Sequence, residues 1–177
     1  MQPLMPHIEQ LLALVGRPFE PNGTGSNWTD VEQRLSLAFP EEFKQLVQIF
    51  GIGPWANFLY VLSPFASGEL LLERRALKAL GVLHEIRRSY PEEVPYAIYP
   101  EPLGLFPWAI TDNGDTLFWL TEGYHWPTIV FPPREPIFEV HRLSSASLVI
   151  EFLNGTLPSR CLVDPFAGET PRKSHHW

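Results

Sequence analysis

The pair Asn113-Gly114 constrains the fold more than any other feature of this sequence, because it lies between two runs of alternating apolar residues. Asn-Gly in that setting is the strongest short-range signal of a β-hairpin, since a type I′ turn requires positive φ at both central residues. A two-residue turn here would place Trp108 directly opposite Trp119, on one face of the ribbon. We therefore expect an antiparallel pair of strands whose tryptophan face is covered by a helix.

Asp112 and Asp115 flank this turn, and two carboxylates so close together raise the question of a metal or catalytic site. In a two-residue turn the pair would face each other, and each carboxylate would be stabilised by N–H groups of the turn or of a neighbouring loop. A calcium site needs more oxygen ligands at defined spacing, and that pattern does not continue past Asp115. We expect the pair to be structural and metal-free, with metal binding as the weaker alternative.

Helical and strand patterns follow one another along the rest of the chain in a definite order. Apolar spacing predicts helices over 7–15, 40–51, 69–88 and 144–153, and another that begins at a capping box of Thr29 with Glu32. Strands are predicted over 58–62, 105–111, 115–121, 127–131 and 137–141. Helices first, then clustered strands and a final helix indicate an α+β fold with a mainly antiparallel sheet flanked by helices.

The chain divides into three predicted parts around a single domain. Residues 1–27 are expected to form an N-terminal helix and a flexible linker rich in glycine and asparagine. Residues 28–157 form the α+β domain, and residues 158–177 form an irregular tail.

Composition restricts the class of protein. The chain has 177 residues, of which 45% are hydrophobic, so that it can bury a core of its own. Its only cysteine, Cys161, excludes an internal disulfide framework and indicates a reducing compartment. No apolar run approaches the roughly 20 residues that span a bilayer, and the start of the chain lacks a cationic leader. We expect a cytoplasmic protein without membrane association.

Motifs for catalysis or cofactor binding are not found in the sequence. The six histidines show no metal-ligand spacing, and no nucleophile elbow, phosphate-binding loop or dinucleotide fingerprint occurs. Cys161 with a distant histidine is too generic to indicate a nucleophile. We therefore expect no catalytic residue, no cofactor, no metal and no small-molecule substrate.

Charge is distributed unevenly along the chain, which has a formal net charge of −7. The segment Ser89–Pro133 contains no Lys or Arg, which disfavours phosphate and nucleic-acid binding there. An acidic, aromatic-rich segment suits a basic protein surface, because charge complementarity accelerates association and aromatic rings anchor contacts. Four residues are candidates for the rim of such a contact: Glu92, Glu93, Glu101 and Glu122.

Two stretches resemble the signatures of the SUKH superfamily. The first, WTDVEQRLSLAFPEEFKQLVQIFG, has a Trp, a nearby Glu, a loop that ends in Pro and a helix that closes on Phe-Gly. The second, LFPWAITDNGDTLFWLT, leads through an Ala and an Asp to a Gly-Asp pair and an apolar strand. The positions that match the signatures are Trp28, Glu32, Pro40, Gly51, Gly114 and Asp115. The resemblance implies an α+β fold and assigns no catalytic role to these residues.

The resemblance also implies a function. Most bacterial members of that superfamily are immunity proteins that bind and neutralise toxins, often nucleases, of polymorphic toxin systems. A yeast relative regulates cell-wall assembly, so a regulatory or scaffold role without a toxin partner is the alternative. The expected function is that of a non-enzymatic binding protein, whereas an enzyme would need a polar cluster in a pocket that the sequence does not reveal.

Overall fold

A computed structural model describes residues 3–123, 126–135 and 137–162 of the chain. In these ranges the α-helices are α1 (Pro6–Val15), α2 (Trp28–Leu35), α3 (Glu41–Phe50), α4 (Leu72–Ser89) and α5 (Ser145–Asn154). The strands are β1 (Leu59–Val61), β2 (Leu105–Thr111), β3 (Thr116–Leu120), β4 (Thr128–Phe131) and β5 (Glu139–His141). Short 3₁₀ turns at Gly68–Leu70 and Pro91–Glu93 lie on either side of α4.

The five strands form one antiparallel sheet in the order β1-β2-β3-β4-β5, which is also their order along the chain. Strands that are neighbours in sequence commonly pair in space, because short connections suffice to join them in antiparallel fashion. The helix α4 is inserted between β1 and β2. The predicted α+β class with an antiparallel sheet and flanking helices is confirmed.

The hairpin forms where it was predicted, but its turn type and register differ. The N–H of Thr111 donates to the carbonyl of Asp115 (3.0 Å) and that of Gly114 donates to the carbonyl of Thr111 (3.0 Å). Gly114 has a φ of +86°, whereas Asn113 is not among the residues with positive φ. These bonds define a three-residue loop, a type I turn followed by a left-handed glycine. The predicted two-residue type I′ turn, with Asp112 opposite Asp115, is therefore wrong.

A β-bulge in β2 places Trp108 on the same face of the sheet as Trp119. On the turn side Ala109 pairs with Leu117, whereas beyond the bulge Phe106 pairs with Trp119, which leaves Trp108 as the extra residue. Two residues of a bulged strand oppose one residue of the partner, so Trp108 remains on the face of Trp119. The two indole rings stack with centroids 6.0 Å apart and an interplanar angle of 14°. The shared tryptophan face is thus retained although the predicted pairing of Trp108 with Trp119 is wrong.

Helices cover both faces of the sheet. On the tryptophan face, Trp119 donates its indole N–H to Ser145 Oγ in α5 (2.8 Å) and lies edge-on to Phe43 in α3 (4.6 Å between centroids). Phe118 points to the opposite face, since side chains alternate along a strand, and there it lines a cavity shared with Val82 and Ile86 of α4. The expectation that a helix covers the tryptophans is confirmed.

The caps of α2 and α5 differ in how well the sequence predicted them. Ser144 caps α5 as predicted, since its side chain accepts from the N–H of Ser147 (3.3 Å). The capping box of Thr29 with Glu32 is wrong, because α2 begins at Trp28 and its N-cap, Asn27, makes no side-chain cap bond. Glu32 instead reaches the start of α3.

Both ends of the described chain contact the domain. In α1, Ile8 and Leu11 are fully buried in the same core as the sheet residues, and α1 packs against α3 and α5. At the other end Leu162 is buried. Residues 163–177, most of the predicted tail, lie outside the described residues.

Replacing Trp119 with Ala is expected to lower the free energy of unfolding by about 3 to 5 kcal/mol, because a buried indole and its bond to Ser145 are both lost. Leu77→Ala is the control, since Leu77 is 78% exposed, and its effect should stay below about 0.5 kcal/mol. Urea unfolding followed by far-ultraviolet circular dichroism measures both. Equal effects would contradict the packing described here.

Candidate functional site

A cleft of about 550 Å³ lies beside the hairpin turn. Carboxylates outnumber cations among the charged residues that line it: Asp112, Asp115, Glu135 and Glu139 against Arg134 and Arg160. The cleft contains both carboxylates that raised the question of a metal or catalytic site. Its geometry therefore decides what those side chains can do.

Asp115 is committed to the turn itself. Its carboxylate accepts a hydrogen bond from Thr111 Oγ1 (2.7 Å), and the same hydroxyl oxygen accepts from the N–H of Asp115 (3.1 Å). This ring of bonds is buried and joins the ends of β2 and β3. Asp115 therefore stabilises the hairpin, and its carboxylate is not presented to the cleft as a free ligand.

Asp112 is exposed, and its neighbours belong to the turn and to β1. Its N–H donates to the carbonyl of Phe58 (3.0 Å). The pKa of Tyr60 is raised by burial and then by the carboxylate of Asp112 beside it. Within the described ranges no group of three or more His, Cys, Asp or Glu side chains is arranged to hold a metal ion.

Glu139 organises the wall of the cleft. Its carboxylate accepts from the hydroxyl of Ser159 and from the N–H of Arg160 (2.8 Å), and it contacts His141 Nε2 (2.7 Å). Burial by itself raises the pKa of Glu139, but the bonds from Ser159, Arg160 and His141 outweigh it and lower this pKa. Glu139 therefore stays ionised and ties residues 159–162 to the sheet.

Cys161 lies in this wall but is a poor candidate for a nucleophile. Burial, followed by the negative charge of Glu139, raises the pKa of its thiol to about 11. A nucleophilic cysteine needs the opposite, a thiolate stabilised by nearby positive charge. The cleft therefore lacks the environment that thiol chemistry requires.

Three of the six signature residues organise the turn between α2 and α3. Trp28 packs against Phe39 at 5.6 Å between ring centroids. Glu32 accepts from the N–H of Phe39 (2.9 Å) and pairs with Lys44 (2.6 Å). The carbonyl of Pro40 accepts from the N–H of Lys44 (3.1 Å) and so begins α3. These contacts hold the two helices at a fixed angle and are structural.

The two signature glycines are required by backbone geometry. Gly51 ends α3 with a φ of +68°, and a Cβ added there would lie 1.9 Å from the carbonyl oxygen of Asn22. Gly114 supplies the left-handed residue of the hairpin turn. Together with Asp115, all six signature positions have a structural role.

Of the four candidate partner-binding glutamates, Glu101 and Glu122 lie near the end of the sheet at which β2 begins and β3 ends. Glu92 is exposed and Glu93 is partly exposed, and both directly follow α4. Arg87, near the end of α4, binds Glu101 through two hydrogen bonds (2.5 and 3.0 Å). Thr121, the neighbour of Glu122, donates its hydroxyl to the carbonyl of Gly104 (2.8 Å), which brings Glu122 close to the loop of Glu101.

Glu101 differs from the other three because its charge is already compensated. The hydrogen bond from Arg87, and then that from the N–H of Ile98, lower the pKa of Glu101 to about 2. Its carboxylate is therefore less available to a partner than those of Glu92, Glu93 and Glu122. The sequence alone did not indicate the ion pair of Arg87 with Glu101, because Arg87 lies on α4, outside the segment 89–133 that contains the candidate glutamates.

Ion pairs on α4 were also missed by the sequence analysis. Glu69, which precedes the helix, contacts Arg74 (3.0 Å) and Lys78 (2.7 Å). The pKa of Glu69 is lowered, first by the hydrogen bond from Lys78. Helical spacing does not predict the contact with Lys78, since nine residues of α-helix span about 14 Å, and Glu69 reaches Lys78 because it lies in the turn before α4.

No protein-family model, curated protein or solved structure matches this chain. None of the helices in the described ranges has the length and apolar character needed to cross a membrane. The SUKH resemblance accordingly stays a prediction from the two sequence signatures.

Gly51→Ala is expected to destabilise the protein more than Gly68→Ala, although both glycines have similar positive φ values, +68° and +65°. The left-handed conformation alone costs about 1 to 2 kcal/mol, and Gly68 has open space around it. At Gly51 the collision with Asn22 adds about 1 to 3 kcal/mol. Thermal unfolding of the two variants measures the difference in stability. Equal losses of stability in the two variants would contradict the prediction.

Cys161 in the folded protein is expected to react slowly with iodoacetamide at pH 8, because its thiol pKa of about 11 leaves little thiolate. The rate should rise as the pH approaches 11 and should increase strongly at pH 8 once guanidinium unfolds the chain. Mass spectrometry of timed samples measures the labelling. Rapid labelling of the folded protein at pH 8 would contradict a protonated, partly buried thiol.

Proposed function

We propose that this protein is a non-enzymatic, cytosolic binding protein that associates stoichiometrically with a basic protein partner. From the SUKH resemblance, the partner we propose is a toxin of a polymorphic toxin system, with a basic nuclease as the leading class. The protein would then be an immunity protein. The alternative is a regulatory or scaffold protein of the same fold without a toxin partner.

The observation that carries this proposal is the way in which charges are compensated within the fold. Carboxylates of the same chain pair with every Lys and Arg of the described helices: Arg34, Lys44, Arg74, Arg75, Lys78, Arg87 and Arg88. Carboxylates that form no ion pair within the described ranges include Glu92, Glu93, Asp112, Glu122 and Glu135. The described cations that form no ion pair are Arg17, Arg134, Arg142 and Arg160. The unpaired carboxylates outnumber them, so the charge left for a partner is predominantly negative.

An excess of exposed carboxylates favours a basic partner over nucleic acid. Phosphate backbones are bound by unpaired Lys and Arg, whose contacts release counterions. The cations of α4 are instead engaged by Glu69, Glu85 and Glu101. Carboxylates around a contact steer a basic protein toward it and raise the association rate more than the affinity.

The state of the cleft supports binding over catalysis. Asp115 is used by the turn, Glu139 holds the segment 159–162, and burial keeps the thiol of Cys161 protonated. An enzyme would need titratable groups poised near neutral pH and open to a substrate. These three side chains serve the fold instead.

Capture of the partner is the direct experiment. The purified full chain, immobilised through a terminal tag, is exposed to a lysate of the source cell, and retained proteins are identified by mass spectrometry. A basic partner that binds 1:1, and whose toxicity or nuclease activity is blocked by the complex, would support the immunity proposal. A partner with no toxic activity would favour the regulatory alternative.

Glu92→Lys with Glu93→Lys is expected to slow association with the captured partner by about tenfold at low salt and to flatten its salt dependence. Glu9→Lys with Glu20→Lys is the control, because both residues are exposed and the change in net charge is the same. Surface kinetics at several salt concentrations gives the rates. An association rate equal to that of the control would remove Glu92 and Glu93 from the contact rim.

A further inference from the structure

A second cavity, of about 450 Å³, opens where the starts of α3 and α5 meet one end of the sheet. Four aromatic rings border it, of which only Trp126 is partly exposed. Trp119 is 1% exposed, with Phe43 edge-on at 4.6 Å and Trp126 inclined at 63° and 5.3 Å between centroids. Phe39 adds another ring at 5.8 Å from Trp119. The bond from the Trp119 indole to Ser145 fixes the orientation of the Trp119 ring.

Glu42 contributes a carboxylate to this aromatic wall. The residue is only 8% exposed, and one carboxylate oxygen, Oε1, is bound by His7 Nδ1 at 2.7 Å. The other oxygen, Oε2, is buried and has no hydrogen-bond partner within the described residues. A buried carboxylate oxygen without a donor is unfavourable by several kcal/mol in an apolar setting, so its retention beside a cavity requires an explanation.

The chemistry of the lining selects the kind of group that fits. No Lys or Arg is among the lining residues, whereas Glu41 and Glu42 both are. A cation on an apolar stem would donate to Glu42 Oε2 and lie against the partly exposed ring of Trp126, since the faces of aromatic rings attract positive charge. Anions would be repelled, a neutral apolar group would leave Oε2 without a donor, and a bare metal ion would find too few oxygen ligands.

We propose that this aromatic cavity receives a lysine or arginine side chain of the protein partner, with Glu42 as the acceptor and Trp126 as the ring. The inference rests on the proposed function and identifies the partner side chain that would be buried in the contact. A protein is the source we choose because the cavity lies beside Glu122: a smaller cavity that Glu122 lines shares Ser144 with it. A buried anchor inside a polar rim is the arrangement found at protein–protein interfaces.

The test uses the isolated full chain and blocked amino acids as probes. N-acetyl-lysine methylamide and N-acetyl-norleucine methylamide are titrated separately, and the indole N–H signals of Trp119 and Trp126 are followed by nuclear magnetic resonance. The lysine probe should shift both signals saturably and bind about tenfold more tightly than its uncharged counterpart. Equal affinities of the two probes would overturn the proposal.

Variants assign the effect to the carboxylate. Glu42→Gln should weaken the lysine probe by about tenfold and leave the norleucine probe unchanged, whereas the exposed control Glu92→Gln should alter neither. Trp126→Leu, read through Trp119, should also weaken the lysine probe, which keeps the proposal testable if Glu42→Gln perturbs the fold. Lysine binding that survives both cavity variants would overturn it.

A third probe, n-butylamine, distinguishes a side chain from a free amine. Binding of butylamine much tighter than that of the blocked lysine would identify a small amine as the occupant and overturn the partner as the source. Because these titrations use no partner, a cavity that ignores lysine overturns this inference while partner capture still succeeds. Failure to capture any partner would remove the proposed function without altering the titration.

Discussion

The packing of Trp119 is the interaction on which the rest of the structure depends. Its indole N–H is held by Ser145 of α5, and its ring lies edge-on to Phe43 of α3, so that one side chain of β3 positions two helices on the sheet. Aromatic pairs in this geometry stabilise beyond the area that they bury. The same ring borders the cavity beside Glu42. Core packing and the proposed anchor site thus share one residue.

The β-bulge at Trp108 allows this packing to coexist with the hairpin turn. The three-residue loop sets Thr111 opposite Asp115, and without a bulge that register would turn Trp108 away from the face of Trp119. The extra residue returns it, at the cost of a local interruption of the ladder. The hydrogen bonds between Thr111 and Asp115 close the turn that makes this compensation necessary.

Charge compensation relates the fold to the proposed function. The cations of α4 form ion pairs within the fold. One of them, Arg87, neutralises Glu101 and so removes this carboxylate from the set that is open to a partner. Glu92 and Glu122 remain as exposed members and Glu93 as a partly exposed one. Glu122 lies at the end of the sheet where the cavity beside Glu42 opens, and it would guide a basic protein to this place for a single buried cation. The exposed carboxylates would then set the association rate, and the cavity beside Glu42 would contribute most to the affinity.

The sequence by itself determined most of this fold, because its signals are local. Alternation around Asn113-Gly114, the helical stripes and the Ser144 cap depend only on residues a few positions apart, so elements and their order were predictable. The turn type, the bulge at Trp108 and the loss of the Thr29 capping box were decided by tertiary structure, where burial of Trp108 and the bonds of Glu32 to Phe39 and Lys44 outweighed local preference. The candidate site was less predictable still. Its essential pairs, Arg87 with Glu101 and Glu42 with the rings around Trp119, join residues far apart in sequence, and only the folded chain brings them together.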